Sequence, residues 1–419
     1  MSVRSVAILL AIVSASPSLV RAQDPNAALP ERLTLPILLR LVVERSPRLA
    51  AERVAIDAAE AERITAGALP NPTVSYGRFS PSGGANTLFQ GSSQQQTTLD
   101  MPLLIAGQRG ARIEAADQGL SAARARVGLA SNELTLRAAD LFVGLQGVQE
   151  KVATLEESVS EIERVVAIVS GRLASGAASR YDLTRVEVEL AGVAARLADA
   201  RAETAEKSAG LAALLGAPGW RPGASGVPVP AGLPTSVAEW RESLIARNPQ
   251  IVAARREEEA AQAALKRAER ERWPAPVLSV GRTWTGDPFG AANFVGLSTE
   301  IPLSDAWRGL MAKAAADLRA AQRRREAIEA EVDVELRRLL NALAERRAAL
   351  DRFHRNVGER IPALKQMAED AYRLGRGSLL ELIDAARSRL DARLTEVDLR
   401  TATVTQELRI LGLTGRLGG

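Results

Sequence analysis

The sequence predicts a mainly α-helical chain, built twice over, whose short strands belong to a membrane β-barrel. Three observations carry that prediction. A helix-to-strand switch marked by paired prolines, Leu69-Pro70-Asn71-Pro72, returns 204 residues later as Trp273-Pro274-Ala275-Pro276. The strands after each switch alternate apolar and polar residues. Between them lie Ala/Glu/Arg-rich runs whose 65 or so residues would span roughly 100 Å as helix, at about 1.5 Å per residue. Pro70, Pro72, Pro274 and Pro276 each lack an N–H and push the preceding residue out of the α region, so a helix has to stop there.

Composition narrows the function classes. The 419 residues include no Cys and one His, His354, and only 3% are aromatic. Disulfides and thiolate metal sites are therefore impossible, and histidine clusters are excluded. A net charge of +4, with Arg and Glu interleaved, describes solvated helix faces and not a nucleic-acid surface. No P-loop, H-E-x-x-H or nucleophile motif occurs, so no catalytic site, cofactor or resident metal is expected. His354 reads as a solvated or packing residue with no ligand set beside it.

Residues 1–22 read as a signal peptide. Arg4 supplies the positive start, Val6 to Val13 the apolar stretch, and Val20-Arg21-Ala22 the small-residue cleavage site. No later run reaches the ~18 apolar residues of a transmembrane helix. An exported chain of this kind can enter a membrane only as strands.

Residues 23–215 form the first repeat. A helix is expected from Leu35 to Ala68, strands at about 73–79 and 94–103, a long helix from Gly107 to about Leu173, a turn, and a returning helix to Leu215. The Gly/Pro-rich stretch 216–235 reads as a linker. Residues 236–419 repeat the order: a helix to Arg272, strands at about 277–285 and 293–303, a long helix from about Asp305 to Leu374 kinked at Pro362, and a last helix ending near Leu411. Four local matches in the same order support duplication. Arg45-Ser46-Pro47 answers Arg247-Asn248-Pro249, and Val74 to Arg78 answers Leu278 to Arg282. Leu99 to Leu103 answers Thr299 to Leu303, and Gly176 to Leu183 answers Gly375 to Leu382.

Each strand has one apolar and one polar face, as a barrel wall between lipid and water requires. Asp100 and Glu300 are expected to point into the lumen. Eight of the 14 aromatics lie within 71–102 or 273–307, where interfacial girdles belong. Surface hairpins on a soluble helical protein would alternate as well. Four strands cannot close a barrel, and open edges do not survive in lipid, so several copies must pool their strands; three would give twelve.

The long helices carry heptad seams near their turns. Val152, Leu155, Val159, Ile162, Val166, Val169 and Leu173 are one seam; Leu183, Val186, Leu190, Val193 and Leu197 are its partner. Leu364, Met367, Ala371 and Leu374 continue the rule in the second half.

These features together resemble the TolC-like outer membrane efflux proteins, over nearly all of the chain after residue 22. The shared pattern is the doubled plan, the proline motif before the first strand, and the tip Tyr372-Arg373-Leu374-Gly375 followed by Ser378, Glu381, Leu382 and Asp384. The resemblance implies a homotrimer in outer-membrane lipid, with a twelve-stranded barrel and an α-helical barrel crossing the periplasm. It implies a periplasmic adaptor and an inner-membrane pump as partners, and it is closer to the heavy-metal and multidrug branch than to protein-secretion ducts. A soluble periplasmic coiled-coil scaffold or adaptor is the alternative from another class, and a type I protein-secretion channel the alternative within the family.

By the same resemblance, Glu381, Asp384 and Asp182 fall at an acidic pore constriction. Tyr372, Gly375, Arg376, Gly176, Ser179 and Ser378 form the tips and gate. Carboxylates repeated around a channel axis favour cations. The same acids also suit a helix start, because Asp and Glu are favoured at a helix N-terminus. The position two past Gly375, which can carry a latching Arg, is Gly377 here, and Arg376 precedes it.

Overall fold

The computed structural model describes residues 29–80, 92–286, 290–301, 306–358, 360–374 and 376–417. The expected signal peptide, the ends of the expected strands at Pro302 and Leu303, and Gly375 lie outside the described residues.

The chain opens with a short strand β1 (Arg32–Leu33) and two helices, α1 (Leu35–Arg45) and α2 (Pro47–Gly67). One helix was expected here, from Leu35 to Ala68. It is broken because Pro47 holds Ser46 at φ −62°, ψ 120°, outside the α region. At the proline switch Ala68 is extended, at φ −70°, ψ 141°. The hairpin β2 (Thr73–Phe79) and β3 (Gln94–Pro102) follows, then α3 (Gln108–Ala174) and α4 (Arg180–Leu215). Sixty-seven residues make α3 one rod of about 100 Å.

The stretch 216–235 is more than a linker. Its strand β4 (Gly223–Ala224) pairs in parallel with β1. Gln146 of α3 donates to the Ser225 carbonyl at 2.7 Å, and Trp220 donates to the Pro30 carbonyl at 3.0 Å. The second half repeats the order with α5 (Val237–Arg247), α6 (Pro249–Glu271), β5 (Val277–Thr285) and β6 (Ala291–Ser298). Pro249 again breaks the helix, this time at Asn248.

The strand placed at 293–303 runs from Ala291 to Ser298. Glu300 therefore lies past the ladder, and strand alternation no longer fixes its direction. The long helix 305–374 is α7 (Ala306–Phe353), a π-turn (His354–Gly358) and α8 (Ile361–Arg373), followed by α9 (Leu379–Leu413). Pro362 is the cause, since it offers no N–H to the Gly358 carbonyl four residues back. The preceding turn widens to i→i+5 bonding instead, and the break falls ahead of the proline.

The four long strands form one antiparallel sheet in the order β2-β3-β5-β6. In register, Val74, Leu99, Val280 and Val295 make one row across it. Met101, Leu278 and Leu297 make the next row on the same face. The opposite face carries Thr73, Asp100, Ser279 and Gly296, then Ser75, Thr98, Gly281 and Phe294. Asp100 thus sits on the polar face, accepting from the Ser279 hydroxyl.

The seam between α3 and α4 is buried: Leu155, Ile162, Val169, Val186, Val193 and Leu197 share a core with Ile383 and Leu390 of α9. The seam expected on α8 is not covered in one copy, for Met367 is 62% and Leu374 67% exposed. Ion pairs fasten α9 along α3. Arg389 reaches Glu161, Arg393 reaches Glu157, Arg400 reaches Glu150 and Arg409 reaches Asp140. The α3 numbers fall as the α9 numbers rise, which fixes an antiparallel register between the two halves.

Candidate functional site at the helix tips

Each long hairpin turns at a tip built by capping. In the first, Gly176 takes φ +75°, a conformation that favours glycine. The Ala177 N–H then reaches back to the Arg172 carbonyl at 2.8 Å, closing the end of α3. Ser179 starts α4: its hydroxyl accepts from the Asp182 N–H at 3.1 Å, and Asp182 accepts from the Ser179 N–H at 2.9 Å. The Ser179 side chain and backbone bonds hold the Asp182 carboxyl below the usual carboxylate range. The second tip repeats the device. Ser378 accepts from the Glu381 N–H at 3.2 Å, and Glu381 accepts from the Ser378 N–H at 3.1 Å. Both are capping boxes, satisfying donors that a helix start leaves unpaired.

The two expected constriction acids therefore differ from the third. Asp182 and Glu381 each spend one oxygen on a cap. Asp384, one turn further along α9, lines a groove with Tyr181 and Arg185 of α4 and with Ile383 and Arg387. Within that groove Glu189 of α4 takes both arms of Arg387, and this pairing pushes the guanidinium above its ordinary range.

Gly377 is pinned. A Cβ there would lie 3.0 Å from the Ala371 Cβ and 3.3 Å from a Glu381 oxygen. A side chain at that position requires these neighbours to give by a few tenths of an ångström. Arg376, next to it, is exposed, and its N–H is bonded to the Ala371 carbonyl at 2.9 Å. Tyr372 is met by a residue that the motif does not contain: the Arg172 guanidinium from the end of α3 lies over its ring, 4.9 Å from the centroid. Both line a cavity of about 530 Å³ between the hairpins, with Glu161, Glu189, Arg387 and Arg389.

Arg172, Glu189 and Arg389 went unmarked in the sequence because Arg and Glu recur throughout. Glu189 had one signal, its place beside the seam residue Leu190, where charges pair across coiled helices. His354, expected to have no ligand set beside it, has a single carboxylate within reach: its Nε2 lies 3.0 Å from Glu396 of α9. The chain folds those residues together across 42 positions. Among the described residues no three metal-binding side chains converge, and no helix is long and apolar enough to cross a membrane.

Comparison with known proteins joins these features. The outer membrane efflux protein family matches the chain twice, over residues 38–217 and 240–416. The chain belongs to the outer membrane efflux protein family. Among curated relatives, the cobalt-zinc-cadmium resistance protein CzcC of Cupriavidus metallidurans is 24% identical over 394 residues, covering 92% of this chain and 90% of that protein. The nickel-cobalt-cadmium resistance protein NccC of Alcaligenes xylosoxydans xylosoxydans is 26% identical over 324 residues, covering 74% and 70%. The outer membrane protein VceC of Vibrio cholerae has the same fold, with a TM-score of 0.72 at 18% identity, covering 91% of this chain and 96% of that one. As a member of this family the protein is an exit duct at the outer membrane, reaching into the periplasm, and not an enzyme. It works in a tripartite system with a periplasmic adaptor and an inner-membrane pump.

Proposed function

We propose that three copies of this chain form one duct, a twelve-stranded barrel in the outer membrane continued by an α-helical barrel in the periplasm. The observation that carries this reading is the sheet β2-β3-β5-β6, with both edges open and one face apolar. Lipid offers no partner for an edge, so β2 of one copy pairs with β6 of the next until the wall closes. Exposed Met367 on α8, and Leu374 just past its end, then gain cover from neighbouring helices. Residues 23–215 and 236–419 are the two repeats, and cleavage after Ala22 removes the export segment.

At the periplasmic tips, Asp384 on its groove, with Asp182 and Glu381 at the caps, gives a ring of carboxylates around the axis. Such a ring favours cations. The cargo is a divalent transition-metal cation. The names of the relatives, cobalt-zinc-cadmium and nickel-cobalt-cadmium resistance proteins, support that choice. Two measurements test the reading. Detergent-extracted protein should have the mass of three copies and conduct ions in a planar bilayer; a single-copy mass or a silent bilayer overturns it. Loss of the protein should lower tolerance to cobalt, zinc or cadmium in its host, and unchanged tolerance overturns the cargo.

A further inference from the structure

The sheet's apolar face does not stay apolar along its whole height. Above the Val74-Leu99-Val280-Val295 row, towards the hairpin loops, the next row is Tyr76, Thr97, Arg282 and Asn293. The last is Arg78, Gln95, Trp284 and Ala291. Two arginines thus share the lipid-facing side with two aromatics. The face is continuous: Tyr76 donates to the Gln95 side chain at 3.3 Å, and the Arg282 guanidinium lies 5.5 Å from the Trp284 ring centroid. Arg78, Arg282, Tyr76 and Trp284 are all exposed.

An arginine facing hydrocarbon at the membrane midplane costs about 2–4 kcal/mol, and close to nothing at the interface. Aromatic rings with polar tips also collect at the interface. These two rows therefore lie at headgroup depth. The helices leave the sheet at its other end, so the hairpin end faces the exterior and the headgroups are those of the outer leaflet. No carboxylate of the described strands shares this face; Asp100 lies on the other. The positive charge is left to be met from the membrane.

We propose that Arg78 and Arg282 form a binding site for the phosphate groups of an outer-leaflet lipid, with Trp284 and Tyr76 packed against its sugar or glycerol portion. One strand separates the two arginines, so their backbones stand about 10 Å apart across the sheet and about 7 Å apart along it. That span suits a headgroup with two phosphates, one for each planar guanidinium fork. This inference rests on the barrel reading above, since only a membrane-embedded sheet presents this face to lipid.

The test uses the full-length protein in an uncharged detergent, with bound lipid read by native mass spectrometry. Diphosphoryl lipid A is titrated against its dephosphorylated form and against inorganic phosphate. The intact protein should prefer the phosphorylated lipid by at least about tenfold, and R78Q/R282Q should lose that preference. Equal retention of the two lipids by the intact protein, or an unchanged preference in R78Q/R282Q, overturns the proposal. Displacement of the lipid by millimolar inorganic phosphate also overturns it, marking a free-anion site. Planar-bilayer conductance in the same preparations separates the readings. A conducting wild type with no lipid preference sinks the lipid site alone, whereas a silent wild type sinks the barrel.

Discussion

The guanidinium of Arg172 lies over the ring of Tyr372, joining the end of α3 to the end of α8. It is a direct tie between the two hairpins at their tips. A cation over an aromatic face contributes about 0.5–1 kcal/mol at an exposed site. Arg172→Ala and Tyr372→Ala should each loosen the tips and raise the resting conductance of the purified duct. A double-mutant cycle on thermal stability should return a coupling of about 0.5–1 kcal/mol, because the pair acts as one contact. Fully additive effects would refute the tie.

Capping gives a second prediction. Ser378→Ala removes the acceptor for the Glu381 N–H and should cost about 1 kcal/mol, concentrated in the first turn of α9. Hydrogen exchange of the α9 amides should rise there and stay unchanged at the buried α3–α4 seam. At the other tip Asp182 has a lowered folded-state pKa, so its charged form is the one the fold favours. Its contribution is present above the ordinary carboxylate pKa and is lost as pH falls through the lowered value. Protection of the amides at the start of α4, relative to their intrinsic exchange rate at each pH, should therefore fall only in acid, and Asp182→Asn should remove that acid dependence.

Glu407 is 2% exposed, yet its carboxyl is fully partnered. It accepts from the Ala231 N–H at 2.6 Å and the Gly232 N–H at 3.1 Å, and it pairs with Arg347, which also donates to the Leu233 carbonyl. Glu407→Ala removes the shared acceptor of two backbone donors on the exposed residues Ala231 and Gly232 and of the part-exposed Arg347. The expected loss is about 1–3 kcal/mol, read as a lowered unfolding midpoint in denaturant. Glu407→Gln keeps the shape and one acceptor and should cost less.

Gly281 stands opposite Phe294 on the polar face of the sheet. A Cβ at this position would meet the Phe294 ring at 2.3 Å and the Thr97 carbonyl at 2.8 Å. The second contact is backbone, so turning the ring cannot relieve it. Gly281→Ala should cost about 1–3 kcal/mol and lower the fraction of extracted protein that has the mass of three copies. Gly119→Ala, in open space on α3, is the control and should change nothing there.

Much of this is legible in the sequence. Pro70, Pro72, Pro274 and Pro276 mark real helix stops because proline acts locally, through its own ring and missing N–H. Strand faces followed from a period of two, and the α3–α4 seam from heptads. Ser179 with Asp182, and Ser378 with Glu381, show the spacing of a capping box, so the helix-start reading was open from the outset. The pairings that organise the tips were hidden for a physical reason. Arg389 has many glutamates within reach by composition, and only the packing of α9 on α3 selects Glu161. Glu407 gave no sign of burial, because its partners are backbone N–H groups of the 216–235 stretch and an arginine 60 residues away. At Pro362 the sequence marks a kink, whereas the structure has a full break with a π-turn ahead of the proline.

The two open edges of the sheet also set an order of events for the newborn protein. A lone copy crossing the periplasm carries unpaired N–H and C=O groups along β2 and β6, a ready template for the wrong neighbour. It cannot hide in the membrane, where those groups would find no water. Assembly has to come before, or together with, insertion. Biogenesis of this duct is then a meeting problem, governed by how fast copies find one another and by whatever keeps the edges apart until they do.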